Sequence, residues 1–416
     1  MMTKRRQTMG LQVLAIIAFV GLIGYLFLSD TPPNQKLLSD YWYDQANLTG
    51  FEPHSNQQMA ALAAAAGVAS KHDTAHVSVA DPNRVKAAFV ILARNSDLQG
   101  IRQSIRQMED RFNRHFNYPY VFLNEEYFTD EFKRKTSDLT KAQTFYGKID
   151  ESMWGYPEYI NQTYAAECRK AMEENKIIYG GSESYRHMCR FQSGFFFRHP
   201  LLDPYEYYWR VEPDVQYFCD VDYDVFQMMK DNKFKYGWTL SLTEYKETIP
   251  TLWKTTQKFI EKYPEYINHG EGSLLSWLTD DGYATYNGCH FWSNFEIGSL
   301  DFFRSEKYLK FFEFLDKEGG FFYERWGDAP VHSLAVAMML KSSEVHFFND
   351  IGYKHNPLMH CPIEPWHQKN CWCNEKDNFD WTDWSCATRY HKIRPDFAWT
   401  ESVYKNKTDP YRITQK

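Results

Sequence analysis

Two apolar runs on either side of an amphipathic stretch constrain the fold of this chain more than any other feature. Residues 85–93 are apolar apart from Lys86, and the run ends in Arg94 and Asn95. Residues 118–123 are apolar and aromatic, and that run ends in Asn124. In between, Leu98, Ile101, Ile105, Met108 and Phe112 recur three or four residues apart, the period of a helix with one buried face. Ser96 or Asp97 is placed to cap it. Near-continuous apolar runs mark strands covered on both faces. A strand–helix–strand order with short links is a right-handed parallel crossover. The expected class is therefore α/β. In such a sheet the polar ends Arg94 and Asn124 share the carboxyl edge, where ligands bind, and the planar fork of Arg94 suits a phosphate.

The run over residues 205–211 ends more sharply. Tyr207, Tyr208, Trp209 and Val211 fit a packed, pleated surface, and Glu212, Pro213 and Asp214 follow. Pro213 has no N–H for a ladder and ends the strand, which leaves two carboxylates at its carboxyl end. Such oxygens are hard ligands, suited to Mg²⁺ or Mn²⁺ carrying a phosphate; solvated acids in a turn are the plainer alternative. Downstream, Asp220, Asp222 and Asp224 alternate along one segment. They lack the glycine and closing glutamate of a calcium loop and are expected to be structural. Helices are expected over 149–164, 165–175 and 250–266, and a strand over 236–242. A helix capped by Asp328 is expected to run through Met339, followed by a short strand over 345–348.

The net charge of -7 offers no basic excess for a nucleic-acid backbone, so that class is set aside. Lys4, Arg5 and Arg6 precede residues 11–28, which carry no charged side chain. That length spans a thin bilayer. It exceeds the apolar core of a signal peptide, and no small-residue cleavage site closes it. The basic flank predicts a single-pass type II topology, with residues 1–10 a cytosolic tail, 11–28 the anchor, 29–83 a stem and 84–416 a lumenal catalytic domain. Cys168, Cys189, Cys219, Cys289, Cys361, Cys371, Cys373 and Cys386 all fall on the lumenal side, where disulfides form, with no pairing specified. Sequons at Asn47, Asn161 and Asn406 fit that route.

No G-x-S-x-G elbow, Walker A loop, H-E-x-x-H pair or G-x-G-x-x-G turn is present. What remains are carboxylates and histidines at strand ends. Glu212 and Asp214 with His355 suit a divalent ion, and Glu296 and Asp328, set among aromatics, suit acid–base or nucleophilic work. Two carboxylates also describe a glycosidase. Four blocks are more specific: residues 208–213 (YWRVEP), 219–225 (CDVDYDV), 293–298 (SNFEIG) and 323–332 (YERWGDAPVH). In this order they resemble the fungal Golgi α-1,2-mannosyltransferases, glycosyltransferase family 15, over about residues 84–395. The resemblance implies a GT-A-like fold with a mixed, mainly parallel central sheet flanked by helices. It implies GDP-mannose as donor, Mn²⁺ as cofactor, retention at the sugar carbon, and a mannosyl acceptor on O-linked or N-linked glycans. It implies Glu212 and His355 as metal ligands, and Glu296 as nucleophile or stabiliser. Tyr185 and Asp328 would then lie beside sugar and acceptor, and Arg94 beside the nucleotide. Asp214, at a position that varies in the family, is kept with the nucleotide-side residues. A retaining mannoside hydrolase and an inactive, lectin-like member are the alternatives.

Overall fold

In the computed structural model, which describes residues 84–394, the expected crossover is present. Ala87–Leu92 forms β1, Leu98–Met108 forms α1 and Tyr120–Asn124 forms β2. β1 and β2 pair in parallel, with Phe89 opposite Tyr120 and Leu92 opposite Leu123. β3 (Thr144–Lys148) adds in parallel beyond β2. Helices α2 (Gln162–Glu174) and α3 (Glu183–Gly194) precede β4 (Tyr207–Arg210) and the short β5 (Gln216–Tyr217). Next come α4 (Val225–Asp231), β6 (Tyr236–Trp238), β7 (Ser241–Thr243), α5 (Leu252–Lys262) and β8 (Cys289–Phe291). β9 (Glu296–Ser299), α6 (Glu306–Glu318), α7 (Asp328–Met339), β10 (Val345–Phe347), β11 (Tyr353–His355) and β12 (Leu358–His360) follow.

The central sheet has the order β10-β6-β9-β4-β1-β2-β3. Only β9 runs against its neighbours, β4 and β6, so the sheet is mixed and mainly parallel. A smaller antiparallel sheet, β12-β11-β5, and a β7-β8 ribbon complete the architecture. Phe89, Phe112, Tyr118, Trp209 and Phe226 are buried together, with Phe89 and Trp209 5.6 Å apart and Tyr118 and Phe226 4.5 Å apart. Each such ring stabilises by about 1.5–3 kcal/mol relative to exposure. The aromatic richness of the chain thus builds its core.

Several expectations change in detail. A 3-10 turn, Asn95–Asp97, leads into α1, and Asp97 accepts from the Arg94 N–H at 2.7 Å instead of capping α1. The helix expected over 149–164 is a single turn, Glu151–Trp154, because Pro157 disfavours helical geometry at Tyr156 and removes a donor. Residues 236–242 split into β6 and β7, which pair in different sheets. Asp224 caps α4, accepting from the Phe226 and Gln227 N–H groups at 3.1 Å, and Asp220 pairs with Arg111 at 2.5 Å. That acidic run is therefore scaffold. Disulfides join Cys219–Cys371, Cys289–Cys386 and Cys361–Cys373, while Cys168 and Cys189 are thiols. Asn161 is exposed and caps α2. The expected tail, anchor and stem, with Asn47 and Asn406, lie outside the described residues. Among the described residues no helix is long and apolar enough to cross a membrane.

Candidate active site

Alternation along β4 decides what reaches the site. Arg210 and Tyr208 point to one face, and Glu296 of β9 is the antiparallel partner of Arg210. Beyond the strand the chain turns at Pro213 and Asp214. Asp214 holds φ at 56°, a left-handed conformation that aspartate tolerates better than most residues. Its carboxylate lies over Gly100, where a Cβ would stand 2.6 Å from Oδ2. Glycine on the first turn of α1 leaves room for that carboxylate.

Arg210 is the hub. Its Nε donates to Glu212 Oε1 at 2.5 Å and its Nη1 to Asp328 Oδ2 at 2.6 Å, and all three side chains are buried. Ser293 Oγ donates to the same Asp328 oxygen at 2.7 Å. Burial opposes the charge on Asp328, but Arg210, His332 and the Ser293 hydroxyl together outweigh it and hold the carboxyl below the usual range. The Glu212 and Asp328 charges in turn raise Arg210, against burial. The expected helix cap is corrected here. Gly327 occupies the N-cap of α7, and Asp328 stands at the first helical position with its side chain turned to Arg210 and Ser293.

His355 ends β11, whose pairing with β5 brings it back beside the Glu212–Asp214 turn. Burial holds its imidazole below the usual histidine range, against the pull of the Glu212 and Asp214 charges. Its Nδ1 lies 3.3 Å from the Asn356 carbonyl. That contact makes Nδ1 the N–H donor and leaves the Nε2 lone pair for a metal. Glu212 has one oxygen on Arg210 and a second to offer. A hard carboxylate and a neutral imidazole fit Mn²⁺. Among the described residues no three His, Cys, Asp or Glu side chains form a metal cage, so these two would need ligands from elsewhere. Arg94 lies on this side, with Nη2 3.3 Å from Ser184 Oγ. Asp97, pushed up by burial, feels both the Arg94 and the Glu212 charges.

Glu296 is enclosed, at 0% exposure. Tyr208 donates to its Oε1, and Tyr236 donates to Oε2 at 2.7 Å. His332 Nδ1 faces the same Oε2 at 2.8 Å, while His332 Nε2 faces the Gln192 carbonyl at 3.0 Å. A carbonyl cannot donate, so Nε2 carries its hydrogen toward Gln192. On the other flank, Arg325 stands 5.2 Å over the Tyr185 ring, which stacks on Tyr179 at 4.5 Å. Burial pushes the Tyr185 phenol well above its usual range, so it stays a donor. Asp328 acts electrostatically on Tyr185.

Arg94, Tyr185, Glu212, Asp214, Glu296, Asp328 and His355 therefore form one linked neighbourhood. Reading the sequence alone missed Arg210, Ser293, His332, Tyr208 and Tyr236. Two local signals were available: alternation through 208, 210 and 212, and the one-turn spacing of Asp328 and His332.

Comparison with known proteins agrees with this geometry. The sequence pattern of the family described as glycolipid 2-alpha-mannosyltransferase matches residues 46–395. The chain is 56% identical over 313 residues to glycolipid 2-alpha-mannosyltransferase 1 of Candida albicans, covering 75% of this chain and 72% of that protein. It is 55% identical over 312 residues to the alpha-1,2 mannosyltransferase KTR1 of Saccharomyces cerevisiae, covering 74% and 79%. The crystal structure of core-mannan synthase A (CmsA/Ktr4) from Aspergillus fumigatus, in its Mn/GDP form, superposes with a TM-score of 0.70 at 43% identity, covering 74% of this chain and 85% of that one. The chain belongs to the glycolipid 2-alpha-mannosyltransferase family, glycosyltransferase family 15, and is a glycosyltransferase of GT-A-like fold.

Proposed function

We propose that this chain is a retaining α-1,2-mannosyltransferase that moves mannose from GDP-mannose to a mannosyl acceptor on O-linked or N-linked glycans. We further propose that it acts from the Golgi membrane as a single-pass type II protein with its catalytic domain in the lumen. One observation carries the chemistry: Arg210 ties Glu212, the proposed metal ligand, to Asp328, the proposed acceptor-side carboxylate. Donor and acceptor ends of the site are thus held at a fixed separation, as transfer between two bound sugars requires. The alpha-1,2 transferase named among the relatives and the Mn/GDP form of core-mannan synthase A support the reading.

Glu212 and His355 would hold Mn²⁺ in this proposal. When bound, the ion supplies a Lewis acid that stabilises charge on the departing diphosphate. Arg94 grips a phosphate, and Asp214 borders the nucleotide. Tyr185 donates to a sugar oxygen, and Asp328 accepts from a sugar hydroxyl through the oxygen that Arg210 leaves. Glu296 acts as a stabiliser. Its oxygens are engaged by Tyr208, Tyr236 and His332, so it offers a buried negative charge to the sugar carbon while the glycosyl–phosphate bond breaks. The acceptor oxygen then attacks on the face that the diphosphate leaves, and its proton passes to a phosphate oxygen. That route retains configuration.

The test is transfer from GDP-mannose to methyl α-mannoside by the purified full chain in detergent, with the linkage read by NMR. EDTA abolishes transfer and Mn²⁺ restores it. Full activity in EDTA would overturn the roles of Glu212 and His355, and hydrolysis of mannosides without nucleotide would mark a glycosidase.

A further inference from the structure

We propose that Tyr245 and Trp384 form a second sugar subsite, stacking a mannose of the acceptor chain one or more units away from the mannose that is extended. The proposal rests on the transferase reading above. Tyr245 is 37% exposed and Trp384 39% exposed, and their rings stand 5.5 Å apart, edge to face. A single exposed ring needs no explanation, but a fixed pair marks a contact surface.

This pair is fixed from both sides. Trp384 Nε1 donates to the Thr243 carbonyl at 2.7 Å, and the Thr243 N–H donates back to the Trp384 carbonyl at 3.1 Å. Ser385 bridges to Leu242, and the Cys386 N–H donates to the Ser241 carbonyl at 3.1 Å. The segment thus runs beside β7 as an added strand, and the Cys289–Cys386 disulfide pins it to β8. Phe379 backs the Trp384 ring at 6.1 Å. Tyr245 starts the turn after β7, its N–H donating to Glu244 Oε1 at 2.8 Å.

Glu244 places the pair against the acceptor side of the site. Its Oε1 faces Arg325 Nη2 at 3.5 Å, and Arg325 stands over Tyr185. A Cβ on Gly327, the residue before Asp328, would lie 3.7 Å from Glu244 Oε2. Glu244, the neighbour of Tyr245 in the chain, therefore links the platform to Tyr185 and Asp328. A pyranose presents an apolar C–H face and a hydroxyl rim. The partly exposed faces of the Trp384 indole and the Tyr245 phenol suit the C–H face, and the Tyr245 hydroxyl suits the rim.

The experiment compares KM for methyl α-mannoside and for a linear α-mannotrioside at saturating GDP-mannose and Mn²⁺, in the full chain and in Tyr245→Ala, Trp384→Ala and Trp384→Phe. In the parent the trisaccharide has the lower KM. In either alanine variant the KM advantage of the trisaccharide shrinks by about 3- to 10-fold, as loss of one aromatic contact implies, and Trp384→Phe regains most of it. An unchanged advantage in both alanine variants overturns the subsite. So does a shift in oligomeric state without a change in the advantage, which would make this face a contact between copies. If Trp384→Ala does not fold, Tyr245→Ala decides. If the parent transfers mannose to no mannoside, the transferase reading fails, and the subsite is judged by saturation-transfer NMR. Mannotriose signal lost in Tyr245→Ala supports it, and equal signal overturns it.

Discussion

Arg210 gives one guanidinium to two carboxylates, Glu212 at 2.5 Å and Asp328 at 2.6 Å, and all three side chains are buried. Removing it leaves both charges buried and uncompensated. Arg210→Met should therefore cost about 3–5 kcal/mol in urea unfolding, the range for breaking one partner out of a buried ion pair. Arg210→Lys should recover only part, since a point charge cannot serve two acceptors as the planar fork does. An unchanged unfolding midpoint in Arg210→Met would show that the network is not structural. Glu296 makes the complementary case. Glu296→Gln keeps the shape and removes the charge, so kcat should fall about 10²- to 10³-fold, the scale of a lost preorganised electrostatic group. Near-normal turnover would take Glu296 out of the chemistry. A covalent adduct on Glu296, trapped with a 2-fluoro donor and seen by mass spectrometry, would make it a nucleophile instead.

Single elements were legible where their pattern is local. The apolar runs of β1 and β2, the stripe of α1 and the abrupt end of β4 all stand in the chain as neighbours. The stretch over 149–164 misled because its apolar residues suit a helix while Pro157 does not allow one. Elements near the C-terminal end are held by contacts that no periodicity announces. His360 of β12 faces Asp380 Oδ2 through Nδ1 at 2.6 Å and the Asn349 carbonyl through Nε2 at 3.0 Å. Two acceptors around one ring favour its doubly protonated form. Burial opposes that charge, but Asp380, the Asn349 carbonyl and Glu364 together outweigh it and raise His360 above the usual range. A raised folded value means that the stability from this pair is complete below about pH 6.5, the unfolded value. It is lost as pH rises through the folded value. The melting-temperature gap between the parent and His360→Asn, measured from about pH 5.5 to 8.5, should be widest at the acid end and narrow upward. A gap that does not vary with pH would refute the assignment.

Among the described residues, three disulfides cross-link the chain. Cys289–Cys386 spans 97 residues and ties the last described segment to the β7-β8 ribbon. Cys289→Ala combined with Cys386→Ala should lower stability by about 2–5 kcal/mol, the range for removing a native disulfide, read from urea midpoints. Identical midpoints would mean that packing alone holds the segment. Neighbouring residues along the chain were enough to establish the α/β class, the β1–α1–β2 crossover, the acids at the end of β4 and the family blocks, because periodicity and turn chemistry act over a few residues. They were not enough to pair the cysteines, to divide 236–242 between two sheets, or to show that Arg210 binds Asp328, which lies 118 positions away. Those outcomes depend on strand order and on the antiparallel register of β9 against β4. A buried charge takes whatever partner the folded sheet sets beside it, and that partner comes from another part of the chain.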